Sequence, residues 1–173
     1  MNVFLIGYRC TGKSTIGRLL AEKLHLPFAD ADRELEKEHC MTIAEMVSLH
    51  GWEYFREKER EILVCLCKKD KQIIATGGGV ILSPENIRTM KKNGTVIWLK
   101  ADVRTITSRM LADDKTQSQR PALTDKGLTD EIGENLALRC PLYENAADIC
   151  ADTDRISAEE LCIYLTDKIM NAN

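Results

Sequence analysis

The sequence lacks a long apolar run, a CxxC pair and an excess of positive charge, and each absence excludes a class of protein. No apolar run approaches the length of a membrane-spanning helix, so a membrane partner is not expected. A formal net charge of −3 and a pI near 5.7 give no basic field for nucleic acid. Seven cysteines without CxxC spacing, and three histidines without zinc-ligand spacing, argue against a disulfide framework or a zinc site.

The chain has the size and composition of one domain. Its 173 residues are 44% hydrophobic and 29% charged, which is enough for one core and too little for two ordinary domains. Its first residues already belong to a predicted strand rather than to a signal peptide. We therefore expect one monomeric, cytoplasmic domain over residues 1–173.

Apolar segments that alternate with helical patterns predict the fold class. Five short segments are predicted strands, at residues 3–6, 27–29, 72–75, 96–99 and 148–150. Between two of them, Thr42 and Glu45 form a capping box that opens a helix, and Gly51 ends this helix before the next begins at Trp52. Strands joined by helices, without tight hairpins, imply a parallel sheet covered on both faces. The prediction is a three-layer α/β sandwich whose ligands gather at the carboxyl ends of the strands.

The segment from Gly7 to Ser14 fits the phosphate-binding pattern G-x-x-x-x-G-K-[ST]. It lies between a predicted strand and a helical pattern, where backbone N–H groups and the helix dipole converge on phosphates. Lys13 would reach the β- and γ-phosphates and the Ser14 hydroxyl would ligate Mg²⁺, so a nucleoside triphosphate is the predicted ligand. A switch GTPase is disfavoured, because N-K-x-D is absent and the D-x-x-G match at residues 130–133 lies inside a predicted helix.

Two carboxylates and a glycine run follow the second and third predicted strands. Asp30 and Asp32 would face the phosphate loop from one side of extended backbone. Asp30 could hold Mg²⁺ through a water, and Asp32 could hold or deprotonate an acceptor hydroxyl or, equally, cap the helix that begins at Arg33. The glycines in Thr76 to Gly79 would let backbone N–H groups approach a hydroxylated ligand, and a plain loop would also explain them.

Three arginines are candidates for binding anionic groups. Arg56 begins a charged helix and Arg139 ends one, and each could be an ordinary exposed arginine. Arg120 lies in the polar stretch at residues 113–126, which we interpret as a mobile lid. A cation there can neutralise charge on a transferring phosphoryl group while water is excluded.

The motifs together resemble the shikimate kinase family over nearly the whole chain. The segments that carry the resemblance are, in order, GxxxxGKST, FADAD, FRE, ATGGGV, QRPALT and LRCPLYENAAD. The resemblance implies a P-loop kinase of the nucleoside-monophosphate-kinase-like type with a five-stranded parallel sheet. It also implies that MgATP phosphorylates the 3-hydroxyl of shikimate on the route to chorismate and the aromatic amino acids.

The resemblance also implies roles for individual residues. It assigns Lys13, Asp32 and Arg120 to catalysis, and it assigns Ser14 and, through water, Asp30 to Mg²⁺. The implied nucleotide-binding residues are Gly7, Arg9, Cys10, Thr11, Gly12, Lys13, Ser14, Thr15, Arg109 and Arg120. The implied substrate-binding residues, which include members of a helical region at residues 32–60, are Asp32, Arg56, Gly77, Gly78, Gly79 and Arg139.

Cys10 departs from the family, which usually has glycine at this position of the loop. Its place at a helix N-terminus beside Lys13 makes it a candidate for selective alkylation. Two alternatives stay open, a related kinase of the gluconate type and a nucleotide-dependent binding protein without transfer activity. Two arginines beside a glycine run and an acidic pair suit a small hydroxylated carboxylate as acceptor. The presence of Lys13, Ser14, Asp32 and Arg120 argues against a non-catalytic protein.

Overall fold

The protein forms a parallel sheet between two layers of helices, in a computed structural model that describes residues 1–112 and 127–171. The strands within these residues are β1 (Asn2–Ile6), β2 (Phe28–Asp30), β3 (Ile73–Ala75), β4 (Gly94–Lys100) and β5 (Ile149–Asp152). The helices there are α1 (Lys13–Leu24), α2 (Ala31–His39), α3 (Ile43–Leu66), α4 (Pro84–Asn93), α5 (Val103–Ala112), α6 (Leu128–Ala146) and α7 (Ala158–Asn171). A single 3₁₀ turn, Val80–Leu82, precedes α4.

Alternate residues of β1 face the two helical layers, because successive side chains of a strand point to opposite faces. Val3 and Leu5 pack with α1 and α7 in one hydrophobic cluster. Phe4 and Ile6 pack with α3, α4 and α6 in another. All five residues of β1 are buried, as expected for a central strand covered on both sides. The predicted three-layer α/β sandwich with a five-stranded parallel sheet is confirmed; the predicted lid at residues 113–126 lies outside the described residues.

The order of the strands creates a crevice at the carboxyl end of β1. The order is β2-β3-β1-β4-β5, and all neighbours are parallel. β1 therefore pairs with β3 on one side, where Leu5 is opposite Ala75, and with β4 on the other, where Leu5 is opposite Ile97. The connections leave β1 and β4 in opposite directions along the sheet, which is where open α/β sheets bind ligands.

Local capping decides where the helices begin. Thr42 and Glu45 form the predicted capping box at the start of α3, and hydrogen bonds from Thr42 lower the pKa of Glu45. Gly51 has a φ of 83° and a ψ of 171°, so it divides α3 at the predicted boundary between two helices. The cap of α2 is Asp30, whose side chain accepts from the N–H of Arg33. The alternative that Asp32 caps this helix is therefore wrong, because the helix begins at Ala31 and Asp32 lies inside its first turn.

No helix within residues 1–112 and 127–171 has both the length and the apolarity needed to cross a membrane.

The packing of α7 on the sheet predicts a large difference between two of its positions. Leu165 is fully buried, whereas Ile163 on the same helix is 52% exposed. We expect Leu165→Ala to lower the free energy of unfolding by about 2–5 kcal/mol, because it leaves a cavity in the core. Ile163→Ala is the matched control and should change this free energy by less than about 1 kcal/mol. Urea denaturation of both variants measures the difference, and equal losses would contradict the packing described.

Candidate active site

Helix α1 begins at the phosphate-binding loop without a side-chain cap. Its N-cap is Gly12, whose φ of 91° is left-handed, and its first turn carries no acidic residue. In contrast, side-chain oxygens of Asp30, Thr42 and Ser83 cap α2, α3 and α4. The first N–H groups of α1 therefore have no capping side chain and suit an anion such as a phosphate group.

Two side chains hold the shape of the phosphate-binding loop. Lys13 Nζ donates to the backbone oxygens of Gly7, at 2.8 Å, and of Tyr8, at 2.7 Å. Thr11 Oγ1 donates to the same Tyr8 oxygen at 2.8 Å. The loop is thus folded around the ammonium group, which places a positive charge beside the N-terminus of α1.

Ser14 and Asp30 bring two oxygen atoms together at the end of the loop. Ser14 Oγ donates to Asp30 Oδ2 at 2.6 Å, and Asp30 Oδ1 lies 3.5 Å from the N–H of Arg33. Hydroxyl and carboxylate oxygens are the ligands that Mg²⁺ prefers. Across residues 1–112 and 127–171 there is no cluster of three or more His, Cys, Asp or Glu that could hold a metal ion. This arrangement suits a cation that takes most of its ligands from phosphates and water.

A cavity of about 340 Å³ lies beside the loop and is lined by Cys10, Gly12, Thr15, Arg109 and Thr153, among others. Arg109 donates to the backbone oxygen of Cys10 at 3.3 Å and to the Thr153 hydroxyl and backbone oxygens at 3.1 and 2.8 Å. These bonds fix Arg109 between the loop and the end of β5. The cavity therefore has room for the part of a nucleotide that extends beyond its phosphates.

Cys10 adopts a left-handed backbone conformation with a φ of 60°. Residues other than glycine are uncommon in this region, which gives a physical reason for glycine as the usual residue here. The thiol is partly exposed and lines the cavity that contains Arg109.

A second pocket forms where the phosphate-binding loop meets Gly77, Gly78 and Gly79, and we call it the glycine-loop chamber. The predicted substrate-binding residues all line it, namely Asp32, Arg56, Gly77, Gly78, Gly79 and Arg139. The sequence analysis did not select its other lining residues for this pocket, which are Tyr8, Arg9, Ile43, Trp52, Phe55 and Glu59. The chamber thus combines charged side chains with an apolar wall.

Two of these glycines allow charged side chains to approach the loop closely. A Cβ atom at Gly77 would lie 2.7 Å from Asp32 Oδ1 and 2.7 Å from Glu59 Oε1. A Cβ atom at Gly79 would overlap the guanidinium group of Arg56. A side chain at either position would displace these charged groups. The plain-loop interpretation of the glycine run does not account for these contacts.

Arg56 is held from three directions. Arg56 NH1 donates to Glu59 Oε2 at 2.7 Å, and the Glu59 side chain is only 4% exposed. The guanidinium carbon lies 4.9 Å from the ring centre of Phe55 and 5.6 Å from that of Trp52. These contacts pre-orient Arg56 toward Gly79 and compensate the charge of Glu59, which a buried carboxylate requires.

Arg139 presents its positive charge to the same chamber. Its NH1 lies 3.4 Å from the backbone oxygen of Gly78, which also accepts a hydrogen bond from the Tyr143 hydroxyl. Burial raises the pKa of Tyr143 above its ordinary value, so the phenol stays protonated as a donor. Among the residues that the structure describes, no carboxylate lies within 4.0 Å of Arg139. Arg139 is therefore the cation in this chamber best suited to a carboxylate on a ligand.

Arg9 lines the glycine-loop chamber and is not among the residues that line the cavity beside Arg109, although it belongs to the predicted nucleotide-binding set. Its guanidinium group forms an ion pair with Glu131. Sequence reasoning missed Glu131, which is 122 residues away. It also missed Glu59, for which the spacing of three residues from Arg56 was an available signal. Arg120 lies outside the described residues.

Comparison with known proteins decides the family. A family model described as "Shikimate kinase" matches residues 9–170. The shikimate kinase of Syntrophus aciditrophicus is 39% identical over 168 residues, which cover 92% of this chain and 86% of that protein. The shikimate kinase of Thermodesulfovibrio yellowstonii is 40% identical over 160 residues, with 92% and 90% covered. The chain belongs to the shikimate kinase family.

A solved structure of a shikimate kinase agrees with this family assignment. The shikimate kinase of Acinetobacter baumannii, solved in complex with shikimate, matches with a TM-score of 0.91 and 31% identity. The match covers 99% of this chain and 94% of that one. The predicted family and the predicted ATP-dependent kinase class are thus confirmed.

The position of Cys10 in a shikimate kinase predicts protection by nucleotide. Its thiol lines the cavity beside the phosphate-binding loop, whereas Cys40 is exposed and lines none of the pockets described above. Saturating MgATP should slow the alkylation of Cys10 by iodoacetamide about tenfold, because the Cys10 thiol is inaccessible in the nucleotide-bound protein. Cys40 serves as the internal control and should react at an unchanged rate. Mass spectrometry of the labelled peptides measures both rates, and equal rates at Cys10 with and without nucleotide would refute the placement.

Proposed function

We propose that this protein transfers the γ-phosphoryl group of ATP to the 3-hydroxyl of shikimate on the route to chorismate. The observation that carries the proposal is the glycine-loop chamber, where Asp32 and the arginines Arg56 and Arg139 surround a glycine run next to the phosphate-binding loop. A carboxylate and hydroxyl groups on one small ligand match this set of side chains. The Acinetobacter relative, which was solved with shikimate, supports this choice of ligand.

The phosphate-binding loop holds the donor in this proposal. The first N–H groups of α1 and the Lys13 ammonium group bind the β- and γ-phosphates. Lys13 exchanges hydrogen bonds to the loop oxygens for bonds to phosphate oxygens as the nucleotide binds. Arg109 and the cavity around it receive the nucleoside end of ATP.

Ser14 and Asp30 fit the Mg²⁺ ion that accompanies ATP. Their oxygens are already 2.6 Å apart at the phosphate end of the loop. The Ser14 hydroxyl would be a direct ligand of the ion, and Asp30, which accepts the hydrogen bond of Ser14, would act through a water. When bound, Mg²⁺ neutralises charge on the β- and γ-phosphates.

Asp32 receives the acceptor hydroxyl. Asp32 belongs to the first turn of α2, and its carboxylate lies close to Gly77 in the glycine-loop chamber, next to the phosphate-binding loop. The carboxylate accepts the proton of the 3-hydroxyl as that oxygen bonds to the γ-phosphorus, and the bond from phosphorus to the β,γ-bridging oxygen breaks. Arg139 and Arg56 hold the carboxylate of shikimate and so orient the ring.

Arg120 completes the proposed mechanism from the segment at residues 113–126. It belongs to the family motif QRPALT, and its positive charge would neutralise negative charge on the phosphoryl group during transfer, while water is excluded. We further propose that residues 1–173 work as one monomeric, cytoplasmic kinase domain with this segment as its lid.

A coupled assay of ADP release tests the proposed function. We expect turnover with shikimate and MgATP, and only background release with gluconate, quinate or AMP at equal concentration. Faster turnover with gluconate would overturn the assignment in favour of the related kinase class. Nucleotide binding without turnover on any of the four would favour the non-catalytic alternative.

Asp32→Asn tests the proposed proton acceptor. Because Asp30 caps α2, the neutral amide should leave the thermal midpoint of unfolding nearly unchanged. The loss of the base should lower kcat/KM for shikimate by about 10²–10⁴-fold. ATP affinity, measured by direct binding, should survive. A stable and nearly fully active variant would remove Asp32 from proton transfer.

Arg139→Ala tests the proposed carboxylate contact. The loss of a charge-assisted hydrogen bond costs about 1.5–3 kcal/mol, so KM for shikimate should rise about tenfold to a hundredfold. KM for ATP should change little, because Arg139 lines the glycine-loop chamber and not the Arg109 cavity. An equal rise in both constants would indicate general damage to the fold and contradict the assignment.

A further inference from the structure

Arg9 and Glu131 form an ion pair between the phosphate-binding loop and α6. Arg9 NH2 lies 2.7 Å from Glu131 Oε1, and the two side chains are only 10% and 3% exposed. Such a pair is costly to break, because removing one partner leaves the other charge buried without compensation. The pair therefore fixes the position of α6 relative to the loop.

Helix α6 also carries Arg139, and both Arg9 and Arg139 contact the ring of Tyr8. The guanidinium carbons of Arg9 and Arg139 each lie 5.6 Å from the ring centre of Tyr8. Tyr8 is 1% exposed. The position of its ring is thus set by packing and by the two arginines.

Glu131 and Arg139 lie on one face of α6, since they are eight residues and about two turns apart. Glu131 is held by Arg9 at the phosphate-binding loop, and Arg139 reaches Gly78 in the glycine loop. A shift of α6 along its axis would therefore move Arg139 relative to both loops. The buried pair is placed to prevent this shift.

We propose that Glu131, acting through Arg9, is a positioning residue that sets the location of Arg139 for the acceptor carboxylate. This inference rests on the proposed function, in which Arg139 binds shikimate. It assigns the Arg9 side chain to acceptor binding rather than to the nucleotide, even though Arg9 is part of the phosphate-binding motif. Arg9 and Glu131 then affect KM for shikimate without direct contact between Glu131 and the ligand.

The Glu131→Gln variant distinguishes a positioning role of Glu131 from a purely electrostatic effect on shikimate binding. The variant keeps the positive charge of Arg9 in the chamber and removes its compensation, so an electrostatic effect alone would lower KM for shikimate. Loss of positioning should instead raise KM for shikimate about tenfold, because a small displacement of an orienting group such as Arg139 weakens its contact with the ligand. The Kd of ATP, measured without shikimate, should stay within about twofold of that of the unmodified protein, since the Arg109 cavity is untouched.

Two further variants keep the experiment decisive. Arg9→Met combined with Glu131→Gln removes both buried charges, so its thermal midpoint should exceed that of Glu131→Gln alone while KM for shikimate stays elevated. Arg60→Met is the matched control, because Arg60 and Glu85 also join two helices at 3.0 Å but are 47% and 56% exposed. It should leave both substrate constants unchanged.

The outcomes separate the inference from the proposed function. An unchanged or lower KM for shikimate in Glu131→Gln, or recovery of KM together with stability in the double variant, overturns the positioning role. A loss of ATP affinity equal to the loss for shikimate also overturns it. If the unmodified protein does not turn over shikimate, the proposed function itself fails, independently of these variants.

Discussion

The parallel pairing of β1 with β3 is the constraint on which the whole site depends. Because Leu5 is opposite Ala75, the two strands end side by side, and the loops that follow them leave the same edge of the sheet. Gly78 then packs against the backbone of the phosphate-binding loop, where a Cβ atom would lie 3.4 Å from the Arg9 nitrogen and the Gly7 oxygen. The phosphate-binding loop and the glycine run are thus held together by the sheet.

Two of the three arginines that line the glycine-loop chamber are paired with carboxylates, whereas Arg139 has no such partner among the described residues. Arg56 is paired with Glu59, and Arg9 is paired with Glu131, so four charges near the chamber are stable without a ligand. Arg139 lies near the backbone oxygen of Gly78 and the ring of Tyr8. An acidic ligand is therefore attracted to one defined corner of the chamber, while Asp32 repels its carboxylate from the corner where phosphoryl transfer would occur.

Features encoded by neighbouring residues could be predicted from the sequence, and features that join distant residues could not. The phosphate-binding loop, the capping box at Thr42 and the break at Gly51 each depend on a few consecutive residues. The pair of Arg9 with Glu131 spans 122 residues and leaves no local pattern. The start of α2 also could not be fixed from the sequence, where Asp32 is a candidate cap of a helix beginning at Arg33, because aspartate caps well at either position. The helix begins two residues earlier, and Asp30 caps it.

Asp30 connects the phosphate-binding loop to the first turn of α2 through its two carboxylate oxygens. One carboxylate oxygen of Asp30 accepts from Ser14, and the other faces the first turn of α2, which carries Asp32. Under the proposed metal role, a change in the hydration of the ion would be transmitted through this one short side chain to the start of the helix. The orientation of the Asp32 carboxylate would then depend on whether Mg²⁺-bound ATP is in place. Shikimate would meet a correctly oriented carboxylate only when phosphoryl transfer can follow.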